Sequence, residues 1–187
     1  GAELVSGLPS APVVTHEHAG TQNECFGRPN IAGVRAPELA PWECIGVGWF
    51  NDPSAIDRPL TIAGPASWQH EADATKARAL PRRALPATKV THVGRTDHSI
   101  SFHVSKVGVP VMVRESYYPN WRASGATGPY RATPNFMVVV PTSHDVTLTY
   151  ARTGVEWIGL LLSGLGVIGL GVIGWRWPAL ARWGDPH

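Results

Sequence analysis

HSISFHVSK (residues 98–106) is the stretch that decides the fold. Ile100, Phe102 and Val104 alternate with polar residues, the period of a strand buried on one face only. Just upstream, KVTHVGR (89–95) is expected to pair with it through a turn at Arg95-Thr96-Asp97. Downstream come VPVMVRES (109–116), NFMVVV (135–140) and DVTLTY (145–150), each short, rich in β-formers and bounded by Pro, Gly, Asn or Ser. Pro141-Thr142-Ser143-His144 is expected to join the last two as a hairpin loop. Short strands with frequent turns predict a mainly β fold, with an antiparallel β-sandwich core over residues 89–155.

Further upstream, residues 1–88 are Pro-rich and carry no sustained period. VGWF (47–50) and PLTIAG (59–64) read as short strands, and EADATKARAL (71–80) as a short surface helix. The whole is expected to be an irregular Pro/Trp-rich segment packed on the sandwich. Cys25 and Cys44 are the chain's two cysteines. Outside the cytoplasm they would form a disulfide, which stabilises by about 3 kcal/mol in the loop-entropy model. Inside, they would be two free buried thiols.

At the other end, WIGLLLSGLGVIGLGVIGW (157–175) has no charge and a single Ser. As a helix it spans about 28 Å, close to the thickness of a bilayer core. One transmembrane helix over 156–176 is therefore expected, with membrane lipid as its partner. Trp157, Trp175 and Trp177 mark its two interfaces. Arg176 and Arg182 outweigh Arg152, placing the tail 177–187 in the cytoplasm and residues 1–155 outside. Gly159, Ser163 and Gly171 share a helix face that would pack on other transmembrane helices. The chain opens Gly-Ala, with no Met and no basic-then-apolar leader, so the expectation is the C-terminal piece of a longer membrane protein.

Composition narrows the function classes. Charged residues make up 16%, and the chain holds 20 Gly and 17 Pro, which argues against a helical bundle. The net charge is +2 and no Lys/Arg-rich run exists, so nothing marks a nucleic-acid partner. No nucleophile elbow, P-loop or dinucleotide fingerprint is present, and no cofactor is called for. Asp52 and Asp57 flank a turn rather than forming a carboxylate pair. His16 and His18 are a weak metal candidate: in an extended strand they point the same way, with His70, His92, His98 or His103 as a third ligand. No CxxC or HExxH spacing supports it, and exposed histidines are the commoner reading.

The most distinctive stretch is ESYYPNWR (115–122), followed by GPYR (128–131) and PNFM (134–137). Tyr117, Tyr118, Trp121 and Tyr130 lie beside Arg114, Arg122 and Arg131. Aromatic faces stack on sugar rings, and Arg pairs with phosphate or carboxylate. Tyr118, Trp121, Arg122, Tyr130 and Arg131 are thus the candidate substrate-contacting residues; no catalytic residue is assigned. The competing reading, aromatics as core plugs with Arg stacked on them, carries more weight.

VPVMVRESYYPNWRASGATGPYRATPNFMVVVPTSHDVTLTY (109–150), followed by an apolar helix, resembles the C-terminal end of large bacterial, actinobacterial-type, polytopic membrane proteins. These are described as 6-pyruvoyl-tetrahydropterin synthase-related and grouped with the GT-C glycosyltransferases. The resemblance covers about residues 89–175 and rests on SYYPNW and PNFMVVVPT. It implies an extracytoplasmic β-domain on the last helix of a plasma-membrane protein that transfers sugars from lipid-linked donors to cell-envelope glycans. It implies a glycan or polyprenyl-phosphate sugar as partner, and a non-catalytic role for this part of the chain. Pterin chemistry is not implied. A single-span surface module, glycan-binding or purely structural, is the alternative.

Overall fold

The computed structural model describes residues 4–15, 41–51, 55, 57–152 and 154–181. The chain forms two compact units, 1–150 and 151–187.

The first unit is mainly β, with two sheets. Val90–Arg95 (β5) and Ser99–Val104 (β6) form the expected antiparallel pair. Thr96 N–H donates to Ser99 O at 2.8 Å to close the turn. Ile100, Phe102 and Val104 are buried and their neighbours are not, as the alternation requires. Asp145–Tyr150 (β11) pairs with β6, and Trp121–Ser124 (β8) pairs with β11. This four-stranded sheet is antiparallel throughout, in the order β5-β6-β11-β8.

Among the described residues the second sheet has seven strands, in the order Val5–Gly7 (β1), Val111–Val113 (β7), Phe136–Pro141 (β10), Ala126–Ala132 (β9), Leu60–Thr61 (β3), Val13–Val14 (β2) and Gln69–His70 (β4). Val111–Val113 (β7), Ala126–Ala132 (β9) and Phe136–Pro141 (β10) come from the segment read as β. The rest come from the Pro-rich segment: Val5–Gly7 (β1), Val13–Val14 (β2), Leu60–Thr61 (β3) and Gln69–His70 (β4). Four short pieces of residues 1–88 therefore join the sheet as strands. The sheet is also mixed, since β2 runs parallel to β3 and β4.

Two local expectations are corrected. VGWF is not a strand; it lies in a helix, Pro41–Asn51 (α1). Pro41 occupies the first helical position, where its missing N–H costs nothing, and Glu43 sits in the first turn. Trp42, Ile45 and Trp49 recur at helical spacing, with Trp42 and Ile45 fully buried. A four-residue window cannot show that period. The surface helix forms as Ala74–Ala79 (α2), with the Asp73 carboxylate accepting Thr75 N–H at 2.8 Å and Lys76 N–H at 3.1 Å.

The second correction concerns residues 141–144. β10 and β11 belong to different sheets, so the connection is a crossing and not a hairpin loop. Residues 121–132 and 136–150 are two arms of one long hairpin that bends from one sheet into the other. The bend is locked at Gly125, whose O accepts Thr142 N–H at 2.8 Å and Ser143 N–H at 2.9 Å. Gly125 has φ +75°, and a Cβ there would lie 2.3 Å from Asp145 O.

One cluster of buried side chains draws on both sheets: Val5, Val111, Val113, Met137 and Val139 from the larger, and Ile100, Phe102, Val104, Trp121, Val146 and Leu148 from the smaller. A separate cluster forms where α1 and α2 meet Val13 and Leu60.

The second unit is a helix, Gly154–Ala181 (α3). Its segment Gly154–Gly174 is long and apolar enough to cross a membrane, with 21 residues at a mean hydropathy of 2.0 and none of that window buried inside the chain. Ser163 Oγ donates to Gly159 O at 2.8 Å, a back-bond within the helix.

Candidate functional site

The stretch between β7 and β8 folds on itself before it presents anything outward. Arg114 N–H donates to Leu4 O at 2.8 Å, and Tyr117 N–H to Asn135 O at 2.7 Å. Glu115 pairs with Arg95 at 2.7 Å. Pro119-Asn120 makes the turn, closed by Trp121 N–H to Tyr118 O at 3.1 Å. The Trp121 indole N–H returns to Ser116 O at 3.2 Å. Tyr118 is left at the apex, 53% exposed.

Two open grooves flank that ring. One, of about 410 Å³, is lined by Ile62, Tyr117, Tyr118, Pro119, Arg131 and Asn135. The other, of about 440 Å³, includes Asp97, Glu115, Tyr118, Trp121 and Tyr150. Tyr150 stands edge-on to Tyr118, with ring centroids 6.3 Å apart, and edge-on to Trp121 at 5.4 Å. The first groove carries a cation at its wall, and the second carries carboxylates beside aromatic rings.

The five candidate residues do not form one site. Tyr118 and Trp121 share the carboxylate-lined groove, and Tyr118 and Arg131 share the other. Trp121 is 8% exposed and belongs to the core shared by the sheets, so it is chiefly a plug. Arg122 is exposed on β8 and donates to Pro119 O and to Trp121 O, holding the turn. Tyr130 and Arg131 are neighbours on β9 and point to opposite faces. Tyr130 packs on the cluster around Trp68, edge-on at 5.6 Å. The Arg131 guanidinium lies over the Trp42 ring at 5.1 Å, and its Nε–H donates to Asn135 Oδ1 at 2.9 Å.

Cys44 is buried on α1 and disulfide-bonded; Cys25 lies outside the described residues. His16 and His18 lie outside them too. Among the described residues, no three His, Cys, Asp or Glu side chains group as a metal site. His103 instead pairs with Asp145 at 2.8 Å and stacks on His144 at 5.7 Å.

Comparison with protein-family models, with curated proteins and with solved structures finds no match for this chain.

Sequence reasoning did not single out Tyr150 or Asp97. Tyr150 continues the inward phase of Val146 and Leu148, which reads as core. It becomes a groove wall because the strand runs past the end of the core there, leaving it 37% exposed.

Proposed function

We propose that this chain is a membrane-anchored, non-catalytic part of a GT-C-like bacterial envelope protein and that its β unit contacts a glycan outside the cytoplasm. The two sheets are the layers of a sandwich, a reading supported by the core cluster to which both contribute. α3 is a transmembrane helix of that protein, a reading supported by its length and hydropathy. β11 ends at Tyr150 and α3 begins at Gly154, so the β unit precedes the helix directly in the chain.

The observation that carries the glycan reading is Tyr118. Its exposed ring walls two grooves, and carboxylates Asp97 and Glu115 line one of them. A sugar offers an apolar C–H face to stack on such a ring and hydroxyls to donate to carboxylates; charge-assisted hydrogen bonds of that kind are the stronger ones. Stacking supplies affinity, and the carboxylates select orientation.

The test is binding of the full chain to cell-envelope polysaccharide fragments. Tyr118→Ala is expected to weaken binding at least tenfold while the melting temperature stays put, because the ring is exposed. Binding that is absent from the unaltered chain, or unchanged in Tyr118→Ala, contradicts the proposal.

A further inference from the structure

The groove of about 440 Å³ differs from its neighbour in what its walls carry. Three aromatic rings meet there, those of Tyr118, Trp121 and Tyr150. Tyr150 stands at 77° to Tyr118 and at 86° to Trp121, so the rings form a corner and not a stack. Tyr118 and Tyr150 are both exposed. The face of such a ring is negative and attracts a cation within about 6 Å of its centroid.

The charge on the walls has the matching sign. Asp97 and Glu115 line this groove, whereas Arg131 lines the other. Glu115 is engaged by Arg95 at 2.7 Å. Asp97 is exposed and has no ion-pair partner among the described residues. A neutral sugar needs one open ring and any polar neighbours. Further rings at right angles and a carboxylate without a counter-ion favour a cation more than they favour a neutral sugar. Among the described residues no three His, Cys, Asp or Glu side chains group as a metal site, so the matching cation is an organic one.

The walls are also tied to one another. Tyr150 N–H donates to His98 O at 2.8 Å, fixing the turn between β5 and β6 against the end of β11. Within that turn Thr96 Oγ1 lies 2.7 Å from Ser99 Oγ and accepts His98 N–H at 3.3 Å, which sets the shape of the loop that carries Asp97. The Arg95–Glu115 pair joins the turn to the segment leading to Tyr118, and the Trp121 indole N–H closes that segment on Ser116 O. A site held in shape beforehand loses less freedom when a ligand enters.

We propose that this groove takes an organic ammonium group, seated against the Tyr118 and Tyr150 rings with Asp97 as its counter-charge, and that the glycan is therefore a cationic one. The sugar half of this statement rests on the proposed function; the ammonium half rests on the groove alone. An amino sugar and a choline-type headgroup present the same chemistry.

The test measures binding to the full chain in a neutral detergent at about pH 8, above the ordinary titration range of imidazoles such as that of His98 on the groove wall. Four probes separate charge from sugar: choline, an uncharged alcohol of the same shape with a tert-butyl group in place of trimethylammonium, a glucosamine tetrasaccharide with trimethylated nitrogens, and the same tetrasaccharide with acetylated nitrogens. Choline is expected to bind at least tenfold tighter than the alcohol, and the trimethylated tetrasaccharide tighter than choline and at least tenfold tighter than the acetylated one. Asp97→Asn should narrow both tenfold preferences to within about threefold, and Tyr118→Leu should weaken choline at least threefold. Equal binding of the two tetrasaccharides overturns the ammonium inference and leaves the glycan reading standing. Choline bound as tightly as the trimethylated tetrasaccharide, with the acetylated one unbound, upholds the ammonium site and overturns the glycan reading. Preferences kept in full in Asp97→Asn, or choline affinity unchanged in Tyr118→Leu, overturn the assignment to this groove.

Discussion

Gly125 sits where both arms of a long hairpin pass from one sheet to the other, and its backbone is in the left-handed region. Any side chain there meets Asp145 O while also adopting a strained conformation. Gly125→Ala is expected to destabilise the β unit by about 2–4 kcal/mol, read as a lower denaturant midpoint with an unchanged slope. Trp121 and Tyr118 make the complementary case, two aromatics three positions apart with opposite roles. Trp121→Ala empties the shared core and should cost about 3–5 kcal/mol, whereas Tyr118→Ala should stay within about 0.5 kcal/mol of the parent. Equilibrium urea unfolding of the pair checks both. Sequence reasoning grouped these residues because they are close in the chain. Their separation was nonetheless legible for Tyr130 and Arg131, since consecutive strand residues must face opposite ways. For Trp121 the sequence offered both a core plug and a ligand contact, with more weight on the plug, and the pairing of Tyr150 with Trp121 across β8 and β11 fixes which side of the turn is inward.

At the scale of elements, α2 is held at its start by Asp73, so Asp73→Ala should lower stability by about 1 kcal/mol. Thermal unfolding detects a shift of that size. α1 depends on more than its own residues. Gly46 and Gly48 disfavour a helix in isolation, and burial of Trp42 and Ile45 offsets that. The Cys44 disulfide adds a tether, and its reduction should destabilise the β unit by about 3 kcal/mol, measured as a drop in melting temperature on adding a thiol. Strands β5, β6, β10 and β11 were legible because alternation is a local property. α1 was not, because its helical period only appears when Trp42, Ile45 and Trp49 are taken together. Nor were β2, β3 and β4: two-residue strands carry no period, and their pairing depends on partners as distant as Ala132. The crossing at 142–144 has a turn composition that suits a hairpin equally well, and Gly125, seventeen residues upstream of Thr142, decides between the two.

For the whole molecule, composition carried the division in two. A polar, β-patterned portion precedes an uncharged run, and the structure divides at 150/151, shortly before that run opens at Trp157. The central claim is that α3 lies in lipid and holds the β unit outside the cytoplasm. Protease added to intact spheroplasts displaying the chain, followed by an alkaline wash of the membranes, tests it in one measurement. The account predicts that residues 1–150 are digested while a fragment containing Gly154–Gly174 stays in the washed pellet. A chain fully protected from the protease, or one released intact by the wash, would contradict it.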